Sequence, residues 1–538
     1  MSSSTPRTSR IATAVAASVA AALALTPLTT APAAARSNGG DGPSARVMTA
    51  EGPVRGTVAG PVRTFQGIPY AAPPTGERRW KKPQPVRPWS APLDARAPRS
   101  ACVQPVDQPI SIAGGGSEDC LYLNVTTPAG PPSHPRPVIV WIHGGSFVYG
   151  DGASYGAAKL AAARQGAVVV TVNYRLGAFG FLSAPGLRAP ADLGLLDQQA
   201  ALRWVARNAA AFGGDPDNVT LMGQSGGGYS VCAQLVSPGA RGLFHKAIVQ
   251  SAGCAGPDGS FTRAEAEEQG RAVVEAAGCD DGDAADAVDA CLRGLSAEDL
   301  VAASAAGHDG YRPVVDGEVL PEAPARAIAA GRFARVPVLH GSTRDEMSGL
   351  AGLDEVMTGR PLTAEGYAEK VAEAFGADAP AVLAEYPVRD HQAPGAAWSA
   401  VLTDSEWSTA ALDTQRALAR HTPVYAYEFA EASSPYFRGV PRPASFSLGT
   451  GHMVDLAYLF ENDLFEPLDA AQEGLSDTVV GYWSRFASTG RPNGAGLPQW
   501  RRFTCGDGYV QALASGRVGR TDFAAGHHYG FWKRLTAS

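Results

Sequence analysis

The pattern of apolar positions divides the chain into strands and helices before any single residue is considered. Two short runs are almost wholly apolar and rich in β-branched residues, "VIVWI" at 138–142 and "AVVVTV" at 167–172. A run without polar alternation predicts a strand buried on both faces, as in a parallel sheet between two helical layers. The same signal returns in "NVTLMG" (218–223), "HKAIVQS" (245–251), "RVPVLHGS" (335–342) and "PVYAYEFA" (423–430). Between these runs lie helical patterns, at 157–163 and in "DQQAALRWVARN" at 197–208. Strands alternating with helices predict an α/β fold built on one large, mostly parallel sheet. No internal repeat and no long Pro/Gly/Ser linker interrupts the 538 residues, so one large domain with insertions is expected.

The first 35 residues break this pattern. Arg7 and Arg10 precede an uncharged stretch from Ile11 to Leu25, and small residues end at Ala33, Ala34 and Ala35. This order predicts a secretory signal peptide over 1–35, a flexible mature N-terminus over 36–46 and a single domain over 47–538. The apolar run is too short and Ala-rich for a membrane anchor, and no later stretch is long enough to span a bilayer. A net charge of -7 without a basic cluster argues against a nucleic-acid partner. Seven cysteines in an exported chain predict disulfides, and the odd number requires an unpaired thiol or an intermolecular bond. No Cys or His spacing fits a metal site, so no metal is expected.

Two serines fit the G-x-S-x-G pattern, Ser154 in "GASYG" and Ser225 in "GQSGG". With 62 glycines in the chain the pattern alone decides nothing. Ser225 follows the strand "VTLM" and precedes "YSVCAQLV", a stretch able to continue as a helix. A nucleophile elbow needs that context: a tight turn exposes the serine, and flanking glycines remove side chains that would clash. Ser154 has no strand directly before it and reads as a loop serine. A serine hydroxyl needs a base, and the base an orienting acid. Among ten histidines, His452 lies in the Gly-flanked loop "LGTGHMVDLAYLF", while Asp345 and Glu346 both lie just beyond a predicted strand end. Carboxylates there face the same crevice as the nucleophile. Gly144 and Gly145 in "WIHGGSFVYG" let backbone N–H groups approach a ligand oxygen closely.

The chain resembles the type-B carboxylesterase family, which includes the cholinesterases. The resemblance runs from about Val47 to the C-terminus through "FQGIPYAAPPTGERRW" (65–80), "SEDCLYLNV" (117–125), "VIVWIHGGSF" (138–147), "VNYRLGAFGFL" (172–182), "DLGLLDQQAALRWV" (192–205), "FGGDPDNVTLMGQSGG" (212–227), "GSTRDE" (341–346) and "GHMVDLAYLF" (451–460). It implies an α/β-hydrolase fold whose loop and helical insertions form an active-site gorge. It also implies Ser225 as nucleophile, His452 as general base and acid, and Glu346 rather than Asp345 as the orienting carboxylate. The oxyanion hole would be the backbone N–H groups of Gly145, Ser146 and Gly226. The family's disulfides map onto Cys102–Cys120 and Cys279–Cys291, leaving Cys232, Cys254 and Cys505 without an assignment, and Arg175 with Asp197 reads as a structural salt bridge.

Three positions depart from the family. Ser146 stands where a third Gly is frequent, Gly226 where Ala is common, and Gln224 where a Glu usually precedes the nucleophile. The missing charge at 224, and the absence of Trp between Cys102 and Cys120, make choline esters poor candidates. The resemblance therefore implies a secreted serine esterase acting on small-molecule esters through an acyl-enzyme, without cofactor or metal. The alternatives are a lipase or a hydrolase of complex natural-product esters on the same scaffold and, from a different class, an inactive binding or adhesion module. Pocket walls are expected from stretches around 303–315 and 391–410.

Overall fold

A computed structural model describes residues 44–106, 115–256, 259–280, 285–305 and 310–537. The expected signal peptide over 1–35 and residues 36–43 of the expected flexible stretch lie outside the described residues, whereas 44–46 are not flexible but open the first strand, paired with Arg55–Thr57. One sheet holds thirteen strands: β1 (Ser44–Met48), β2 (Pro53–Ala59), β3 (Val62–Pro69), β4 (Leu93–Asp94), β5 (Tyr122–Pro128), β6 (Arg136–Ile142), β7 (Val168–Val172), β8 (Gly214–Gln224), β9 (Lys246–Gln250), β10 (Val338–Thr343), β11 (Val424–Phe429), β12 (Val510–Ala514) and β13 (Arg517–Thr521). Their spatial order is β1-β2-β3-β5-β7-β6-β8-β9-β10-β11-β12-β13, with β4 beside β2. From β7 to β12 every pairing is parallel. Both margins are antiparallel, apart from the short β4, which runs parallel to β2.

The apolar runs are central strands because both faces of each are covered. Val138, Val140 and Ile142 of β6 face one core, with Val168, Val170, Val219, Leu221, Ala247 and Val249. Ile139 and Trp141 face the other, with Val169, Met222, Ile248 and Leu339. Helices α1 (Leu193–Asn208) and α2 (Gly226–Val236) cover the first face through Leu195, Leu202, Trp204, Val231 and Leu235. Helix α3 (Ala470–Thr489) covers the second through Leu475, Val479, Trp483 and Phe486. Asp469 fixes the start of α3 in a capping box with Gln472, so the first N–H groups of the helix are satisfied. Helix α1 starts four residues before the predicted Asp197, because Leu193 and Leu195 add a turn of buried contact. Within it, Asp197 takes Arg175 in a fully buried bidentate pair, Nε–Oδ2 and Nη2–Oδ1 both at 2.7 Å.

Between β10 and β11 the chain leaves the sheet and builds a helical cap from Ser348–Thr358, Ala364–Phe375, Ala379–Glu385, Pro394–Leu402, a π-helical turn at Thr403–Ser408, and Thr409–Ala419. The cap has its own core of Tyr367, Val371, Val382, Trp398 and Val401, joined by Met347 and by Trp532 from the C-terminal helix Tyr529–Ala537. Three disulfides are present, Cys102–Cys120, Cys279–Cys291 and Cys232–Cys254, and Cys505 is free and exposed.

A buried charge cluster ties the C-terminus to cap and sheet. His527 contacts Asp404 through Nδ1 at 2.5 Å and Glu428 of β11 through Nε2 at 2.8 Å, and Arg344 takes the other Glu428 oxygen at 2.7 Å. Burial disfavours the charge on His527, but its hydrogen bonds to the two carboxylates outweigh this and lift it from 6.5 to about 9. Burial likewise works against ionised Glu428, yet His527 and Arg344 hold it at about 2, below its ordinary 4.5. Because His527 binds its proton more tightly folded than unfolded, its stabilisation is full below pH 6.5 and is lost as pH rises through about 9. The Glu428 contribution is full above 4.5 and is lost as pH falls towards 2. A His527→Gln variant is expected to be less stable by about 3 kcal/mol near pH 6, since buried Asp404 loses its charged partner and Glu428 one of its two. Its calorimetric midpoint should fall less than that of the wild type between pH 6.5 and 9; parallel slopes over that window would refute this account.

Candidate active site

Strand β8 ends at Gln224 and α2 begins at Gly226, so Ser225 makes the whole turn. It does so at φ 55° and ψ -124°, a conformation L side chains rarely adopt and one that costs about 1–3 kcal/mol. The glycines around it are required by close approach. A Cβ at Gly223 would lie 2.3 Å from the carbonyl oxygen of Gly227, and one at Gly227 would lie 2.0 Å from that of Ile142. The Ser225 N–H donates to the Gln250 carbonyl at 3.0 Å, and the Ser225 carbonyl accepts from Tyr229 at 2.9 Å. Cys232–Cys254 then bolts α2 to the segment that succeeds β9. Ser154 is placed differently: its Oγ donates to Asp151 at 2.7 Å within a loop whose N–H groups also turn onto that carboxylate.

His452 reaches the same end of the sheet from the loop after β11. Its Nδ1 donates to Glu346 Oε2 at 2.5 Å, so the lone pair of the neutral ring lies on Nε2. Glu346 is buried, and its Oε1 accepts the Thr343 N–H at 2.8 Å, which fixes the carboxylate against the end of β10. Asp345, the other carboxylate at this strand end, turns away to accept the Thr450 N–H at 2.8 Å and braces the loop that carries His452. Opposite Glu346, the Gln224 amide nitrogen lies 3.1 Å from His452 Nε2. The residue preceding Ser225 thus touches the ring atom that would take the serine proton. Ser225 and His452 are both partly exposed, whereas Glu346 and Gln224 are not.

The glycine turn after β6 faces this serine. A Cβ on Gly144 would lie 3.1 Å from the Ser225 Cβ, and one on Gly226 would lie 3.2 Å from the backbone nitrogens of both Ser146 and Phe147. Gly145 at φ 101° and Ser146 at φ 53° rotate their peptide planes out of strand geometry. Gly226, as first residue of α2, has an N–H with no partner inside the helix. The side chain of Ser146 is exposed and does not pack into the turn. Behind it, buried His143 donates from Nδ1 to the Gly144 carbonyl and stacks on Tyr174 with centroids 4.5 Å apart; burial holds its pKa below the ordinary value, so it shapes the turn as a neutral ring.

Two further residues of this site are not singled out by the sequence reading. Gln250 receives the Ser225 N–H on its backbone, donates its side-chain amide to Asp455 at 2.7 Å and accepts from Trp483 Nε1 at 3.3 Å. Its place at the carboxyl end of the strand beside β8 is the signal that could have marked it. Asp455 sits three residues beyond His452, and burial lifts its carboxyl to about 6 despite the Gln250 hydrogen bond. Trp407, inside the stretch expected to wall the pocket, packs on the His452 ring with centroids 4.8 Å apart.

A doubly covered, mostly parallel sheet with a serine turn at the carboxyl end of a central strand defines an α/β-hydrolase. The profile of the carboxylesterase family matches residues 43–532, and the chain belongs to that family. It is 37% identical over 485 residues to the para-nitrobenzyl esterase of Bacillus subtilis (strain 168), covering 83% of this chain and 90% of that one. It is 34% identical over 513 residues to the human cocaine esterase, covering 89% and 88%, and 34% identical over 495 residues to a mouse acylcarnitine hydrolase, covering 87% and 86%. The protein is a carboxylic ester hydrolase.

The crowding at the turn has a direct consequence. Gly227→Ala would force a methyl group against the Ile142 carbonyl, and is expected to destabilise the protein by about 1–3 kcal/mol in urea unfolding. An unchanged midpoint would show that the turn has room the glycine does not use.

Proposed function

We propose that the protein is a secreted serine esterase in which Ser225, His452 and Glu346 form the catalytic triad. The observation that carries this reading is the line from buried Glu346 through the His452 ring to the element that bears Ser225, closed at 2.5 Å on the acid side. His452 Nε2 takes the Ser225 proton as the serine oxygen attacks the ester carbonyl. Glu346 stays ionised and stabilises the imidazolium that forms. The tetrahedral oxyanion rests on the N–H groups of Gly145, Ser146 and Gly226, each worth about 10²- to 10³-fold in rate. His452 returns the proton to the departing alcohol, and water repeats the sequence on the acyl-enzyme.

The names of the relatives, a para-nitrobenzyl esterase, a cocaine esterase and an acylcarnitine hydrolase, support a small-molecule ester as substrate. Neutral Gln224 beside the base favours substrates without a cationic alcohol, and so argues against carnitine esters. Residues 47–538 then act as one catalytic domain, released after removal of 1–35. Three disulfides support an oxidising destination, and no helix among the described residues is long and apolar enough to cross a membrane.

Hydrolysis of p-nitrophenyl esters of increasing acyl length tests the reading. Ser225→Ala is expected to lower kcat by about 10⁵- to 10⁶-fold for every ester, with the fold retained; a variant that keeps its activity would remove Ser225 from the mechanism. A second measurement concerns the neighbouring amide. Gln224→Glu sets a carboxylate against the imidazole and should move the acidic limb of the kcat/KM profile to higher pH by about 1–2 units. A stationary limb would mean that Gln224 does not face the working base.

A further inference from the structure

The π-helical turn Thr403–Ser408 is the one break in α-helical register along the cap segment Pro394–Ala419, and it lies against the proposed triad. At its end both the N–H and the Oγ of Thr409 reach the carbonyl of Asp404, five residues back, instead of the residue four back. An extra residue in a helical turn rotates the downstream side chains by roughly 100° about the axis, and such turns concentrate at functional sites. Three of its polar side chains, those of Thr403, Asp404 and Ser408, are anchored. Thr403 Oγ1 accepts the N–H of Met347, the residue after Glu346, at 3.1 Å. Asp404 accepts from His527 and from Tyr386 at 2.8 Å, and Ser408 Oγ meets His527 at 3.1 Å. The one aromatic side chain of the turn is Trp407, partly exposed, whose ring lies 4.8 Å from that of His452 at an interplanar angle of 55°.

We infer that Trp407 is a positioning residue for His452: the π turn presents its indole to the imidazole so that the ring is held in place and its protonated form is favoured. The inference rests on His452 being the base. Acyl transfer converts the ring to an imidazolium at each tetrahedral intermediate, and a cation within about 6 Å of an indole face is attracted to it. The indole therefore stabilises a charge that exists only after the proton has moved, which is where an interaction raises kcat. The charged and titratable groups facing the ring are Glu346, on Nδ1, and Asp455, from the segment just beyond the base; Gln224 on Nε2 is neutral. Both carboxylates are held by partners other than Trp407, Glu346 by Thr343 and His452 and Asp455 by Gln250. Asp404, three residues before the indole, is turned to His527 and Tyr386. Replacing the indole thus changes one face of the imidazole and leaves the two carboxylates in place.

The test uses the full mature chain and the p-nitrophenyl ester it hydrolyses fastest. Trp407→Leu keeps an apolar cover and removes the π face. It is expected to lower kcat about two- to fivefold and to move the acidic limb of kcat/KM about half a unit towards lower pH, with Trp407→Phe between it and the wild type. A limb that stays in place overturns the inference. So does a limb that moves to higher pH, because the indole would then act only by excluding water. A protonated imidazole in contact quenches indole emission, so the fluorescence difference between wild type and Trp407→Phe should titrate with the kinetic limb and vanish in a His452→Gln background. If Trp407→Leu does not fold, that difference titration decides, and its absence overturns the inference. His452→Gln itself separates the two readings: full activity in that variant defeats the triad, whereas an inactive His452→Gln beside an unshifted Trp407→Leu defeats only the role of Trp407.

Discussion

A strand buried on both faces meets a helix packed on one of them with a single residue between, and that residue is not glycine. Ser225 holds φ 55° because β8 and α2 are each fixed elsewhere, the strand by β6 and β9 and the helix by the core under Val231 and Leu235. Neither can retreat to relax the turn. The strain is tolerable because Gln250 takes the Ser225 N–H and because the glycines on either side let three backbones pass within contact distance. Exposure of the serine, the approach of the Gly144–Ser146 turn and the start of α2 all depend on this one junction.

Two histidine–carboxylate arrangements of the molecule, at His452 and at His527, have surroundings that give them opposite capacities. His527 has a carboxylate on each ring nitrogen and is enclosed, so its proton stays to about pH 9 and the ring serves as a permanent cation. His452 has a carboxylate on one nitrogen only, and the other meets a neutral amide. A ring with one nitrogen oriented and the other uncommitted to an anion can accept and release a proton within a reaction cycle. What separates these two rings is the number of carboxylates around each, which the residue type alone does not reveal.

The central strands were legible because burial on both faces leaves an unbroken apolar run, as in "VIVWI" and "AVVVTV". The antiparallel margin was not: β2 and β3 contain Gly, Arg and Gln among their apolar residues, burial along both is interrupted, and a register shift breaks the alternation in β3. Ser225 was readable from strand, turn and helix in sequence. The choice between Asp345 and Glu346 was not readable from spacing, because adjacent residues at a strand end point to different sides and only the family resemblance favoured Glu346; in the structure Asp345 faces Thr450 and Glu346 faces His452. Cys102–Cys120 and Cys279–Cys291 came from the same resemblance, whereas Cys232–Cys254 joins a helix to a segment brought beside it only by strand pairing. The π turn has no compositional mark, since register is set by the groups that anchor Thr403, Asp404 and Ser408.

The core of the cap, completed by Trp532 of the last helix, gives the protein an order of manufacture. A chain is made from its N-terminus, and a domain folds as a unit once its parts are present. The strands that pair β7 to β11 are all synthesised before residue 430, yet the indole that fills the cap and the imidazole that ties it to β11 arrive only at 527–532. The residues of the central strands and of the serine turn therefore exist before the pieces that seal the roof above them. Residues 527–532 act as a late fastener, and a message cut short just before them specifies a sheet whose cap lacks its closing pieces.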